Sequence, residues 1–244
     1  MTGVAVGDRV VSSSPAGGGY ATQAVVPSAA VIKLPEGFDF SVAAGLLVQG
    51  MTAYFMLRGA NLAAGETVLA TGAAGGVGSM AVQMARAQGA KVIGLASKAK
   101  HDHVMQNGAF AAVDYTGPGW SKQVLDLTAG EGIDVYLDAE RKFGGEAYET
   151  LARKARWVVY GIQTDKPSAL PLDKQWDYIF RNVSLRGYTI DTDFGNVPTG
   201  MRQAIEWVQR GELKVAVTHP LSTSYFPAQN SSVEVTRDRL KATQ

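Results

Sequence analysis

The chain contains no cysteine, so it can form neither a disulfide nor a cysteine-ligated zinc site. It has no excess of charge of either sign. With 23 basic and 22 acidic residues the formal net charge is +1, which gives no electrostatic basis for nucleic acid or an anionic membrane as a partner. The opening "MTGVAVGDRV" lacks the charged start and apolar run of a signal peptide. Long apolar runs are missing as well. The longest, Ala43 to Leu57, is interrupted by Gln49, Gly50 and Thr52 and reads as too short and too broken to span a bilayer. What remains is an ordinary globular composition, 46% hydrophobic and 18% charged over 244 residues. It predicts one or two domains and a cytoplasmic protein by default.

From Val4 to Leu34 short β-type runs ("DRVVSS", "YATQAVV", "AVIKL") alternate with turns. Gly17, Gly18 and Gly19 mark a tight loop there. "PEGFDFSVAAGLL" opens a helix with Ser41 as the expected N-cap, and a second helix is expected over Met51 to Arg58. After that the pattern becomes strand–helix alternation. Strands are predicted at Thr67–Thr71, Lys91–Leu95, Ala112–Asp114, Ile133–Asp138, Trp157–Gly161 and Ser184–Ile190. The intervening helices are predicted at Gly78–Gln88, Lys100–Asn107, Trp120–Thr128 and Gly145–Lys154. This alternation implies an α/β fold, a doubly wound parallel sheet with helices on both faces. A last helix, Thr199–Arg210, and a strand, Leu213–Val217, are expected before a polar tail without periodicity.

Between the first strand of that alternation and its helix stands Ala73-Ala74-Gly75-Gly76-Val77-Gly78, an A-x-G-x-x-G turn. A turn of this form lets a pyrophosphate approach the backbone, with the unpaired N–H groups of the next helix facing the phosphates. Gly75 would permit that approach, and Gly78 would permit close packing of helix on strand. The alternative is a packing turn in an α/β protein. The order strand, turn, helix, strand favours a dinucleotide.

A second absence then selects the cofactor. NAD sites tend to carry an acid about 20 residues past the turn. Here the run is "KVIGLASKAK", and no acid precedes Asp102. Ser97, Lys98 and Lys100 stand there instead, and a hydroxyl with ammonium groups suits the 2′-phosphate of NADPH. The alternative is a pair of solvated lysines at a helix start.

"VGDRVV", "GGYATQAVVPSAAVIKLPEGFDFSVAAGLLVQGMTAYFML" and "GETVLATGAAGGVGSMAVQMARAQGAKVIGLAS" resemble the zinc-independent, zeta-crystallin-like quinone oxidoreductases of the medium-chain dehydrogenase/reductase superfamily. The resemblance runs from Val6 to about Thr218, with "QGMTAY", "GAAGGVG" and "WVVYG" in family order. It implies a partial GroES-like β-rich lobe over 1–45, a Rossmann domain over 46–215 and a divergent tail over 216–244. It implies NADPH as cofactor, no metal, and hydride transfer to a quinone or an activated alkene. By the same resemblance Ala74, Gly75, Gly76, Val77 and Gly78 hold the pyrophosphate, and Ser97 and Lys100 the 2′-phosphate. Tyr115 lies near the adenosine, and Thr52, Gly161 and Ile162 lie on the nicotinamide side. A homodimer through the edge strand Ser184–Ile190 is the family expectation.

Two departures stand against the family pattern. The chain begins after most of the first lobe, and its ending shows no returning strand. "DAERKFGG" also places Glu140, Arg141 and Lys142 where an apolar step is usual. Two further readings therefore stay open: a dinucleotide-binding protein of little or no catalytic power, and an enoyl reductase. No catalytic acid or base stands out. His101-Asp102-His103 reads as an exposed helix start, because neighbours on one helix face are three or four residues apart. Asp134 and Asp138 read as sheet-end acids, solvated or capping a helix. Trp176, Tyr178 and Phe180 border the expected substrate pocket or belong to core or interface packing.

Overall fold

The computed structural model describes residues 3–12, 19, 21, 23–141, 143, 145–161 and 174–217. Among these residues the strands are β1 (Val10–Ser12), β2 (Val31–Lys33), β3 (Thr67–Ala70), β4 (Lys91–Leu95), β5 (Ala111–Val113), β6 (Ile133–Asp138), β7 (Leu151–Val159) and β8 (Ser184–Gly187). β3 to β8 form one parallel sheet in the order β5-β4-β3-β6-β7-β8. This is the doubly wound α/β arrangement that the alternation predicts. From β3 the chain winds outward through β4 and β5, then returns to the other side of β3 with β6. The strand order therefore reverses at β3, and in sheets of this kind ligands bind beyond the carboxyl ends of the strands at such a switch point.

Both faces of the sheet are covered, which is why its strands read as nearly continuous apolar runs. Val68, Ala70, Val135 and Leu137 point into a core shared with α2 (Met51–Gly59), α3 (Gly76–Ala87) and α8 (Val197–Gln209). Leu69, Ile93, Tyr136 and Trp157 point the other way. They pack beneath α5 (Trp120–Leu127) and α6 (Glu146–Glu149).

β1 and β2 form a two-stranded antiparallel ribbon, and Ile32 and Leu34 join the core of the main sheet. No strand covers the described part of "YATQAVV", and Gly17 and Gly18 lie outside the described residues. α1 (Phe40–Gly45), a π-helical turn (Leu46–Gly50) and α2 continue one another. Position 45, where the two lobes were divided, lies inside this run. At 20 residues and mean hydropathy 1.5, Phe40–Gly59 is long and apolar enough by those measures to cross a membrane. That corrects the reading of Ala43–Leu57 as too short and broken: the helix runs straight through Gln49 and Gly50. Half of its apolar window is buried inside this fold.

Four other expectations are corrected. The N-cap of α1 is Asp39, whose carboxylate accepts from the Ser41 and Val42 amides at 2.7 and 3.0 Å. The helix expected over Gly145–Lys154 stops at Glu149, because Ile133 N–H takes the Thr150 carbonyl at 2.8 Å and draws Leu151 into the sheet. The edge strand ends at Gly187. Leu213–Val217 is not a strand: the Gln83 side chain supplies the partners a strand would have, accepting from Lys214 N–H at 2.8 Å and donating to its carbonyl at 3.0 Å.

Candidate dinucleotide site

β3 leads into the glycine turn at Thr71. The Thr71 hydroxyl donates to the Leu137 carbonyl at 3.3 Å and accepts from the Ala139 amide at 2.7 Å, which fixes the end of β3 against the end of β6. The chain then reverses at Gly72, whose φ of +59° is the left-handed step of the turn. The A-x-G-x-x-G pattern, which starts at Ala73, does not include this residue. Ala73 is fully buried, and a Cβ on Gly94 of β4 would stand 2.8 Å from its methyl. Alanine is thus accommodated at the first motif position because the facing strand carries glycine.

At Gly78 the close contact is with the turn itself, beyond the end of β3. A Cβ there would lie 2.2 Å from the Gly72 carbonyl oxygen, so only glycine lets α3 sit this close to the turn. Gly75 and Gly76 are exposed, and Ala74 and Val77 are half-buried. The first amide bonded within α3 is Ser79 N–H, to Gly75 O at 2.9 Å. The helix therefore has no internal use for the N–H groups of Gly76, Val77 and Gly78.

The other predicted residues divide into two groups around this turn. On the β4–β5 side, Ser97 is half-buried, and Lys98 and Lys100 are exposed on a 3₁₀ turn, Lys98–Lys100. Tyr115 follows β5 and, with Thr71, Leu95, Trp120, Tyr136 and Glu140, lines a cavity of about 200 Å³. Tyr115 thus shares this cavity with Thr71 at the end of β3, but none of Ala73 to Gly78 lines it. On the β6–β8 side, Gly161 packs flat on Ala139, since a Cβ there would stand 2.5 Å from the Ala139 carbonyl oxygen. Gly161 also lines a cavity of about 690 Å³ with Arg141, Val159, Tyr160 and Tyr188. Ile162 and Lys142 lie outside the described residues. Thr52 is buried in α2 and lines neither cavity.

Two acids matter more than their positions in the sequence suggest. Asp138 is fully buried at the end of β6, not solvated. Its carboxylate accepts from the Glu140 and Arg141 amides at 2.7 and 2.9 Å and from the Trp157 indole N–H at 3.0 Å. Burial pushes its pKa above the ordinary value despite these donors. It holds the Glu140–Arg141 turn, which puts Glu140 in the smaller cavity and Arg141 in the larger. Asp114 ends beside the 3₁₀ turn, since Ala96 N–H bonds to Val113 O at 3.1 Å. The Thr116 amide and hydroxyl hold the Asp114 carboxyl below its usual range, with a smaller contribution from the Lys98 amide. Asp134, at the opposite end of β6, accepts from Thr67 N–H at 2.8 Å.

The remaining candidates separate from the site. His101 bonds to Ala96 O at 3.1 Å and His103 to the Asn107 side chain at 3.2 Å, so the two rings do not converge. Among the described residues no group of three or more His, Cys, Asp or Glu comes together. α7 (Gln175–Arg181) exposes Trp176, Ile179 and Phe180, while Tyr178 packs on Tyr148 with ring centroids 5.1 Å apart. None of the three predicted aromatics lines either cavity.

Comparison with known proteins agrees with this fold. The family described as zinc-binding dehydrogenase matches residues 76–210. The "Quinone oxidoreductase-like protein 2 homolog" of Nematostella vectensis is 34% identical over 221 residues, covering 88% of this chain and 60% of that protein. A solved quinone oxidoreductase of Pseudomonas syringae superposes with a TM-score of 0.77 at 30% identity, covering 88% of this chain and 67% of that one. A mycobacterial protein solved in complex with NADPH superposes with a TM-score of 0.75 at 27% identity, with the same two coverages, 88% and 67%. The chain thus spans 60% of the length of the first of these relatives.

Proposed function

The chain belongs to the zinc-binding dehydrogenase family, in its quinone oxidoreductase branch, and from that premise we propose that it is an NADPH-dependent oxidoreductase acting on a quinone or an activated alkene without a metal. The observation that carries the reading is the glycine turn at the switch point of the sheet. A Cβ at Gly78 would fall 2.2 Å from Gly72 O, and the N–H groups of Gly76, Val77 and Gly78 have no partner within α3. An anionic pyrophosphate fits such a cradle, where backbone donors and the positive end of a 12-residue helix coincide. Bound there, NADPH would supply the hydride; the protein's part is to position the cofactor and exclude water.

NADPH rather than NADH rests on Ser97 and Lys100. Asp114 works against it: the Thr116 N–H at 2.9 Å and the Thr116 hydroxyl at 2.7 Å hold its carboxylate ionised beside the Lys98 turn, so Lys98 and Lys100 must offset that charge. Ala74 to Gly78 would hold the pyrophosphate, and Tyr115 would border the adenosine in the smaller cavity. Gly161, with Ile162 after it, would lie on the nicotinamide side. Thr52 would act there only from within α2. A homodimer through β8 fits the same reading, since β8 is a sheet edge that exposes Leu185, and α7 exposes Trp176, Ile179 and Phe180.

Calorimetric titration with NADPH followed by a quinone turnover assay tests the proposal. Binding with turnover is the expected result. Binding without turnover would leave a dinucleotide-binding protein, and absence of binding would remove the cofactor reading altogether. Turnover of enoyl thioesters in preference to quinones would move the activity to the enoyl reductases.

A further inference from the structure

Gln49 is polar and exposed, and it stands on the π-helical turn Leu46–Gly50 between α1 and α2. Turns of this kind insert a residue into a helix and recur at functional sites. This one leans on α3: a Cβ on Gly50 would stand 3.2 Å from the Met80 sulfur. The side chain of Gln49 consequently reaches the glycine turn. A Cβ on Gly76 would lie 2.8 Å from Gln49 Cγ, 3.5 Å from its Cβ and 3.7 Å from its Cδ. The three nearest atoms to that point all belong to Gln49.

The two glycines of this turn are therefore needed for different reasons. Gly78 gives way to backbone, the Gly72 carbonyl. Gly76 gives way to a side chain. Resting a glutamine here fixes a long, rotamer-rich side chain at an entropic cost. The amide it carries offers two donors beside the unused N–H groups of Gly76, Val77 and Gly78. It is uncharged, so it adds to a row of donors without repelling an anion. A carboxylate in its place would repel one.

We infer that Gln49 is a further dinucleotide-binding residue whose Nε2 donates to the pyrophosphate bridge, the part that NADH and NADPH share. The inference rests on the cofactor reading above. It separates Gln49 from Lys100, which would touch only the 2′-phosphate.

Three probes test it: NADPH, NADH and adenosine 2′-monophosphate, which has no pyrophosphate. Gln49→Ala should weaken both dinucleotides by the same factor, about tenfold, as loss of one hydrogen bond to a charged group implies. It should leave adenosine 2′-monophosphate unchanged. Gln49→Glu should weaken the dinucleotides further. Gly76→Ala should displace the Gln49 side chain and weaken the dinucleotides in the wild-type background, yet add little on top of Gln49→Ala. Unchanged dinucleotide affinity in Gln49→Ala would overturn the inference, and so would an equal loss for adenosine 2′-monophosphate. An equal cost of Gly76→Ala in both backgrounds would also overturn it, because the phosphate and not Gln49 would then require the glycine. If the wild-type chain binds neither dinucleotide, the cofactor reading fails and takes this inference with it; if only the variants behave otherwise, this inference fails alone.

Discussion

Alanine at Gly78 should cost stability, whereas alanine at Gly75 should cost binding. The new methyl at Gly78 would meet Gly72 O at 2.2 Å, the Gly72 carbonyl carbon at 2.7 Å and Ala73 Cα at 2.9 Å. All three are backbone atoms, so relief requires α3 to move off the turn by about 1 Å to reach ordinary contact. Overpacking of this kind costs about 1–3 kcal/mol, and contact this short belongs at the upper end. Alanine returns about 1 kcal/mol of helix propensity. The net loss is about 2 kcal/mol, or about 4–8 °C in melting temperature for a chain of this size. At Gly75 the only close atom is Gly72 O at 3.2 Å, and φ there is −87°, which alanine adopts freely. Its methyl enters the exposed side of the turn, where the pyrophosphate would approach. Thermal unfolding and NADPH titration of both variants check the pair. Equal melting temperatures would refute the packing argument, and wild-type affinity in Gly75→Ala would refute the cradle.

Lys100→Ala should weaken NADPH by about 1.5–3 kcal/mol, the scale of a charged hydrogen bond, and leave NADH nearly unchanged; equal losses for both would move the 2′-phosphate elsewhere. Burial raises the Asp138 carboxyl above its unfolded value. Its contribution to stability is therefore fully present below the ordinary carboxylate range, about pH 4, and is lost as pH rises through the raised value. Asp138→Asn should remove that dependence, so the wild type should lose stability relative to the variant across this window. A difference independent of pH in urea titrations would contradict the assignment. If two copies pair through β8, Leu185→Asp should convert a dimer to a monomer by light scattering, because a buried unpaired carboxylate opposes the contact.

The sequence by itself determined the α/β class, the bounds of β4 and β6, and the place of the glycine turn. Those features are local: short continuous apolar runs, a run of glycines and a helical stripe each follow from neighbours along the chain. It also determined that Ser97, Lys98 and Lys100, with no acid among them, follow β4. Tertiary structure alone decided the rest. It brought Asp114 from the neighbouring strand to the Lys98 turn and buried Asp138 beneath Trp157. It cut the helix after Gly145 to Glu146–Glu149, because a sheet hydrogen bond at Ile133 outcompeted local helix propensity. It replaced the strand after Leu213 with a pairing to the Gln83 side chain. And it laid Gln49 across Gly76, 27 residues away in the chain (76 − 49), through the packing of the π turn on α3. Each of these depends on which backbone groups are left for a distant partner to satisfy, and the order of residues does not carry that information.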